Sequence, residues 1–168
     1  MNFYQKKYWA LLKELKTHVI YLHKYAEDAD KWDKAINIFL AITSSSSIAA
    51  WAIWQKFQFL WAVLIALSQV VTVVIPFLPF KKRLKAINEL NDKIQEISLE
   101  CEKKWFLVSE GRLTEEEIHD LTINLKDKSF KAERKYFKNL VLPKKNKILS
   151  QAEKDADLYF KNNYSIKE

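Results

Sequence analysis

The sequence predicts an all-α, oligomeric protein in which a two-span transmembrane helical hairpin is continuous with long, cytosolic, coiled-coil-like helices. With one Gly and three Pro among 168 residues, the chain can form few tight turns, which favours a few long helices over a sheet. Between Lys34 and Lys81 the only charged residue is Lys56, so charge is confined to the two flanks. Apolar residues on both flanks recur at the spacing of a coiled-coil seam.

Residues 1–34 are predicted to form an amphipathic helix on the cytosolic side. His18 falls on its apolar seam. It is either a pH sensor or ligand contact, or a polar residue that fixes the register of helix pairing. The seam consists of Tyr4, Tyr8, Leu11, Leu15, His18, Leu22, Tyr25, Ala29 and Trp32.

Residues 35–80 are predicted to form the transmembrane hairpin. The first span, residues 35–54, contains 20 uncharged residues, and a helix of that length covers about 30 Å, the thickness of the hydrocarbon core. The second span, residues 57–80, contains 24 uncharged residues. Aromatic residues cluster around the short turn between the spans, as they do at a membrane surface. A hairpin buried inside a helical bundle is the alternative interpretation.

Basic residues beside the spans predict the orientation. Lys31 and Lys34 precede the first span and the KKRLK motif at 81–85 follows the second, whereas only Lys56 marks the opposite side. By the positive-inside rule, both termini are expected in the cytosol and the chain is expected to cross the cell membrane more than once.

Polar residues within the first span have two competing explanations. Asn37 and four consecutive serines lie in an otherwise apolar stretch. Small polar residues allow helices to pack closely, which requires no pore. Alternatively, several copies enclose a water-filled pore, and Asn37 faces the interior of the assembly because exposing it to lipid is costly. The pore-lining candidates are Asn37, Ser44, Ser47 and Trp51.

Residues 81–168 are predicted to form a C-terminal cytosolic helical region that begins with a second apolar seam. Lys104 is the one break in that seam, and Gly111 is the position where the helix is expected to end. Cys101, the only cysteine, excludes an internal disulfide and is expected to be a small core residue. The seam consists of Ile87, Leu90, Ile94, Ile97, Cys101 and Val108.

Two helices are predicted to follow. Thr114 and Glu117 have the spacing of a capping box, which places a helix start there, and this helix is expected to run to about residue 140. Ser150 and Glu153 have the same spacing and predict a second capping box near the start of the final helix.

A basic block with interleaved aromatic residues extends from Lys126 to Lys147. Three interpretations remain open: a solvated helix face with its aromatic residues in the core, a site for phosphates and stacked bases, or a surface for anionic headgroups. The candidates for binding an anionic ligand are Lys131, Arg134, Lys135 and Lys138.

The sequence gives no case for an enzyme. It contains no Gly-rich phosphate loop, nucleophile elbow or HExxH motif. The acidic run beside His119 is explained by the start of a helix, so no metal site is predicted, and no cofactor is expected.

The order of these elements resembles the SLATT-like two-transmembrane effectors of bacterial nucleotide-signalling antiphage defence systems. The matching residues are Lys31–Lys34, the uncharged spans, KKRLK at 81–85 and 111-GRLTEEEIHDL-121. The resemblance implies a homo-oligomeric pore in the bacterial inner membrane, with a tetramer as the expected form. A nucleotide or oligonucleotide made by a partner nucleotidyltransferase would gate the pore through the cytosolic helices. The alternative is a membrane-tethered coiled-coil scaffold, or a small subunit of a membrane complex, without a pore.

Overall fold

A computed structural model describes residues 1–45, 58–75, 80–138 and 142–164. These residues contain no β-strand, so the prediction that the chain is all-helical is confirmed for the described part. The described residues form five helices: α1 (Phe3–Ser45), α2 (Gln58–Val74), α3 (Phe80–Ser109), α4 (Glu115–Tyr136) and α5 (Asn146–Asn163).

The chain divides into two compact units. Unit 1 consists of Met1–Ala26 and Lys85–Glu168, and unit 2 consists of Glu27–Leu84. Unit 1 therefore contains the first half of α1, most of α3, and all of α4 and α5.

The two predicted seams form the centre of the core of unit 1. All six residues of the second seam are buried, and the first seam is buried from Tyr8 to Tyr25 except at His18, which is partly exposed. Trp32, by contrast, is 63% exposed, so the first seam does not extend that far as a buried face. At the break in the second seam Trp105 takes the buried position, because its ring packs against Tyr8 and Trp9 at centroid distances of 6.3 and 4.7 Å.

The predicted boundary between α3 and α4 is confirmed. Gly111 adopts a positive φ of 67°, a backbone conformation in which a Cβ atom is unfavourable. The Arg112 N–H then donates to the Leu107 carbonyl at 3.0 Å, which satisfies a carbonyl at the end of α3. The Thr114 N–H donates to Glu117 Oε2 at 2.7 Å and the Glu117 N–H donates to Thr114 Oγ1 at 3.3 Å, so the capping box is present.

The predicted second capping box is wrong. α5 begins at Asn146, directly after Lys145, whose backbone is extended and whose side chain makes no capping hydrogen bond. Ser150 and Glu153 consequently lie inside α5 rather than at its start. α4 also ends at Tyr136, earlier than predicted.

Aromatic and hydrogen-bond contacts hold the end of α5 against α1 and α3. The Trp9 ring meets Phe160 and Tyr164 at centroid distances of 5.0 and 5.4 Å. Glu102 Oε1 accepts hydrogen bonds from the hydroxyls of Tyr159 and Tyr164 at 2.6 and 2.7 Å. Accepting both bonds fixes the direction of α5 in unit 1.

The described part of unit 2 has very few buried side chains. The two buried residues in its described part are Thr43 and Ser68, and both hydroxyls donate to carbonyls of their own helices. Such bonds let a short polar side chain face a neighbouring helix without leaving an unsatisfied donor. Large apolar side chains of unit 2 are instead exposed, namely Trp32, Ile38, Ile42, Phe59, Leu60, Val63, Leu67, Val70, Val73 and Val74.

No helix in the described part of the chain is both long enough and apolar enough to cross a bilayer. α2 has 17 residues and is therefore about 26 Å long, shorter than the ~30 Å hydrocarbon core. α1 is longer, but its uncharged part begins only at Ala35. This finding contradicts the predicted fold with spans at 35–54 and 57–80, the pore, and the multi-pass location in the inner membrane with both termini cytosolic. Residues 46–57 and 76–79, which complete those spans, lie outside the described residues.

Candidate functional site

Of the four pore-lining candidates, only Asn37 has a side chain within the described residues. Asn37 is exposed, and its amide nitrogen donates to the Asp33 carbonyl at 2.8 Å and to Asp33 Oδ2 at 3.0 Å. Asn37 is thus satisfied by its own helix. Ser44 belongs to α1, but its side chain lies outside the described residues, as do Ser47 and Trp51 altogether.

The four anionic-ligand candidates are brought together on α4 and the turn that follows it. The spacing of Lys131, Arg134 and Lys135 places them on one side of α4. Lys138 lies in the turn after α4, and all four residues are exposed. We call these four residues the basic strip. The Arg134 guanidinium lies 5.6 Å from the ring centroid of Phe130, which is itself 57% exposed.

The basic strip also has a local explanation. α4 carries acidic residues in its first turn and basic residues in its last turn, the arrangement that complements the helix dipole. Lys131 Nζ is 2.6 Å from Asp127 Oδ2 and Lys135 Nζ is 5.0 Å from the Tyr136 ring. With the contact between Arg134 and Phe130, three of the four cations therefore have partners within α4. Of the interleaved aromatic residues, Tyr136 and Phe137 pack against the core and only Phe130 is exposed.

A cavity of about 620 Å³ lies in unit 1, and we call it the His18 cavity. It is bounded by α1, α4, the connection before α5 and the first half of α5. Glu14, Thr17, His18 and Tyr21 share one face of α1. This face borders the first seam and includes one of its members, His18. The residues that line the cavity are Glu14, Thr17, His18, Tyr21, Glu133, Leu142, Lys144, Leu149 and Glu153.

The residues that line the His18 cavity differ in how far they are exposed to solvent. His18, Tyr21 and Leu149 are only partly accessible, whereas Glu14 and Glu153 are exposed. A molecule in this cavity would thus contact apolar and aromatic surface inside and carboxylates at the opening.

His18 lines two adjoining cavities. A second cavity of about 200 Å³ also contacts Glu14, His18 and Glu133, and its lining includes Lys126 and Phe130. His18 Nδ1 is 3.7 Å from Glu133 Oε1, which is too long for a hydrogen bond. Burial lowers the pKa of His18, and this effect exceeds the opposing influence of the Glu133 and Glu14 carboxylates. The imidazole is therefore neutral at pH 7.

The side chain of Tyr21, on α1, is held in place by contacts with Lys145, the residue before α5, and with Tyr25. Its hydroxyl oxygen accepts a hydrogen bond from the Lys145 N–H at 3.2 Å. Its ring meets the Tyr25 ring edge-to-face at 5.9 Å, and the Lys145 ammonium lies 4.5 Å from the Tyr25 ring centroid. Tyr21 thus offers the cavity a fixed aromatic wall.

Cys101 is buried, and burial raises the pKa of its thiol to about 12, which keeps it protonated and unreactive. The described residues contain no group of three or more His, Cys, Asp or Glu side chains close enough to hold a metal ion.

Sequence reasoning identified His18 but missed the carboxylates around it. Glu14, Glu133 and Glu153 come from three different helices, and more than a hundred residues separate the first from the other two. Spacing along the chain reports contacts within one helix, so it carries no signal for this cavity.

Comparison with models of known protein families, with curated proteins and with solved structures finds no match to this chain.

Proposed function

We propose that the protein is a homo-oligomeric effector in a nucleotide-signalled bacterial antiphage system, in which unit 2 joins the copies and unit 1 receives the signal. The observation that carries the assembly is the set of exposed apolar side chains in unit 2. The defence role rests on the resemblance of 111-GRLTEEEIHDL-121 and of KKRLK at 81–85 to the SLATT-like effectors.

Five of the exposed apolar residues of α2 form a regular stripe, and two others, Leu60 and Val73, lie outside it. Its members follow one another in steps of four, four, three and four residues, the spacing of a seam between packed helices. α2 contains no charged residue, so a second copy could cover the stripe without burying an unpaired charge. The α2 stripe consists of Phe59, Val63, Leu67, Val70 and Val74.

The described part of unit 2 exposes ten large apolar side chains, and five of them share one face of α2. Exposed apolar surface that is contiguous along a helix is a mark of an interaction site on proteins. We assign a second copy as the occupant because one uncharged stripe is complementary to another by symmetry.

Cysteine cross-linking of the full chain tests this assembly. Leu67→Cys and Val70→Cys place a thiol near the middle of the α2 stripe, where an antiparallel or a parallel pair brings equivalent residues together. We expect a short bismaleimide to join two copies of at least one of these variants. The wild-type chain is a suitable blank, because its Cys101 is buried and protonated. Leu158→Cys in unit 1, where the side chain is 57% exposed, is the matched control and should give no cross-linked dimer.

Two outcomes would contradict the assembly. Equal cross-linking of Leu158→Cys and the stripe variants would indicate random collision. No cross-linked dimer from either stripe variant would show that the α2 stripe does not face a second copy.

The basic strip supports signal reception by unit 1 as a second, separate part of the proposal. Exposed cations can contact the phosphates of an oligonucleotide while an exposed aromatic ring stacks on a base. Phe130 and Arg134 provide such a pair at the surface of α4. Binding by this strip would weaken as salt increases, because each neutralised phosphate releases a counterion.

Charge reversal tests reception of the signal. Arg134→Glu, Lys135→Glu and Lys138→Glu together should abolish binding of a labelled oligoadenylate in fluorescence anisotropy, with the oligomer mass unchanged. The control reverses Lys103 and Lys104, exposed cations of α3, and should bind at nearly the wild-type level. Unchanged binding after reversal of the strip would remove this site while leaving the assembly proposal intact.

A further inference from the structure

The acidic residues of α5 differ in whether they have a partner. Asp155 Oδ2 is 2.8 Å from Lys24 Nζ and Asp157 Oδ1 is 2.7 Å from Lys13 Nζ, so both carboxylates form ion pairs with α1. Glu153, only two residues earlier, faces the His18 cavity and has no ion pair in the described part of the chain.

The other two carboxylates of the cavity are similarly unneutralised. Glu14 forms no ion pair in the described part of the chain, and the ion-pair partner of Glu133 there is His18, at 3.7 Å. Since burial keeps the imidazole neutral at pH 7, His18 does not balance that charge. The cavity thus has three carboxylates and one ammonium group, that of Lys144.

The cavity has the size and walls of a small-molecule site. Its volume of about 620 Å³ falls within the ~300–1,000 Å³ that such sites occupy. Leu142, Leu149 and the fixed ring of Tyr21 supply apolar and aromatic walls beneath the carboxylates. An anion would meet three like charges here, whereas a cation with an apolar body would meet complementary groups on each side.

We propose that the His18 cavity binds an organic cation, an amine or guanidinium attached to an apolar or aromatic body. The carboxylates of Glu14, Glu133 and Glu153 accept its N–H groups, and the Tyr21 ring and the two leucines contact its body. Lys144 opposes binding by its charge. The site is separate from the basic strip, and the proposal does not depend on assembly through unit 2.

Titration calorimetry of the full chain tests this proposal with three probe cations: benzylamine, agmatine and spermidine. We expect saturable binding of at least one, and no comparable binding of benzyl alcohol or benzoate, which have the same ring as benzylamine without the positive charge. Saturation by none of the three cations, or binding of benzyl alcohol as tight as that of benzylamine, would overturn the proposal.

Substitutions locate the binding. Glu153→Gln should weaken it about tenfold, because a charge-assisted hydrogen bond is replaced by a neutral one. Asp157→Asn, on the same helix but outside the cavity, is the matched control and should leave binding unchanged. Lys144→Gln should strengthen binding, a change of opposite sign that general loss of structure could not produce. Equal effects of Glu153→Gln and Asp157→Asn, or weaker binding in Lys144→Gln, would place the cation elsewhere and overturn the assignment.

Discussion

The two units place their apolar residues in opposite ways. Every buried apolar side chain in the described part of the chain lies in unit 1, whereas the buried residues of unit 2 are Thr43 and Ser68. Unit 2 is nevertheless the more apolar of the two, since α2 contains no charged residue. Apolar composition by itself therefore does not build a closed core. Unit 1 packs apolar side chains into a core within one chain, although Phe106, Ile123 and Leu158 remain exposed, whereas the described part of unit 2 fully buries no apolar side chain.

The contrast is visible within a single helix. The first half of α1 buries Leu15 and Leu22 in unit 1, whereas its second half exposes Ile38 and Ile42 in unit 2. The helix is continuous over 43 residues, so the difference arises from what packs around it and not from a change in local structure.

The largest expected effect compares one leucine from each unit. Leu90→Ala, at a fully buried position, should lower the free energy of unfolding by about 2–5 kcal/mol, because it removes core contacts and leaves a cavity. Leu60→Ala, at a position of unit 2 that is 53% exposed and lies outside the α2 stripe, should cost less than about 1 kcal/mol. Urea unfolding followed by circular dichroism at one protein concentration measures both. Equal losses would mean that unit 2 has a core as closed as that of unit 1.

A smaller effect tests how unit 1 holds α5. Glu102→Ala leaves two tyrosine hydroxyls without their acceptor and should cost about 1–3 kcal/mol. The control is Glu100→Ala, which removes an exposed ion pair with Lys128 at 2.7 Å and should cost less than about 1 kcal/mol. Thermal unfolding of both variants gives the comparison. A loss of stability in Glu100→Ala as large as that in Glu102→Ala would show that the two tyrosine hydrogen bonds stabilise unit 1 no more than an exposed ion pair does.

The capping box should contribute about 1 kcal/mol. Thr114→Ala removes the acceptor for the Glu117 N–H and should lower stability by that amount. Ser150→Ala, inside α5, removes no cap and should leave the unfolding midpoint in urea nearly unchanged. The Glu117 carboxylate accepts hydrogen bonds from Thr114, which lowers its pKa. The stabilisation that the ionised Glu117 carboxylate contributes is consequently lost as the pH falls through the lowered pKa of Glu117. A midpoint that is the same in Thr114→Ala and in the wild type would contradict the role of the cap.

The smallest expected effect is the pH dependence that His18 contributes. Its pKa is lowered in the folded chain, so the unfolded chain binds more protons near pH 6.5 and stability falls as the pH drops below that value. His18→Gln should show a shallower loss of stability between pH 7 and pH 5.5 in thermal unfolding. Parallel profiles for the variant and the wild type would contradict this. The charged groups that line the two cavities with His18 are Glu14, Lys126, Glu133, Lys144 and Glu153.

The features that depend on local spacing were predictable from the sequence. The second seam is buried at each predicted position, and Gly111 and Thr114 end and begin helices as predicted. Such features depend on the helical period and on backbone conformation, which neighbouring residues determine. Lys104 was recognised as a break, but only the packing of Trp105 against α1 shows what replaces it.

The features that depend on packing between distant segments were not predictable. The uncharged window after Lys34 indicated two spans, but charge alone does not determine where a helix begins and ends, and α2 is too short to serve as one. In the same way, Glu153 and Asp155 are similar in the sequence. Only the folded chain shows that Asp155 has a lysine partner while Glu153 faces a cavity.

The molecular mass of the full chain in sedimentation equilibrium tests the central claim most directly. We predict that the wild-type protein sediments as a multiple of its 19.9 kDa chain mass. Leu67→Asp with Val70→Asp should dissociate it to the single chain, because an assembled stripe would have to bury two unpaired charges from each copy. Ile123→Asp with Leu158→Asp, at exposed apolar positions of unit 1, should keep the wild-type mass. A wild-type protein of single-chain mass, or a stripe variant that keeps the mass of the assembled wild type, would contradict the account.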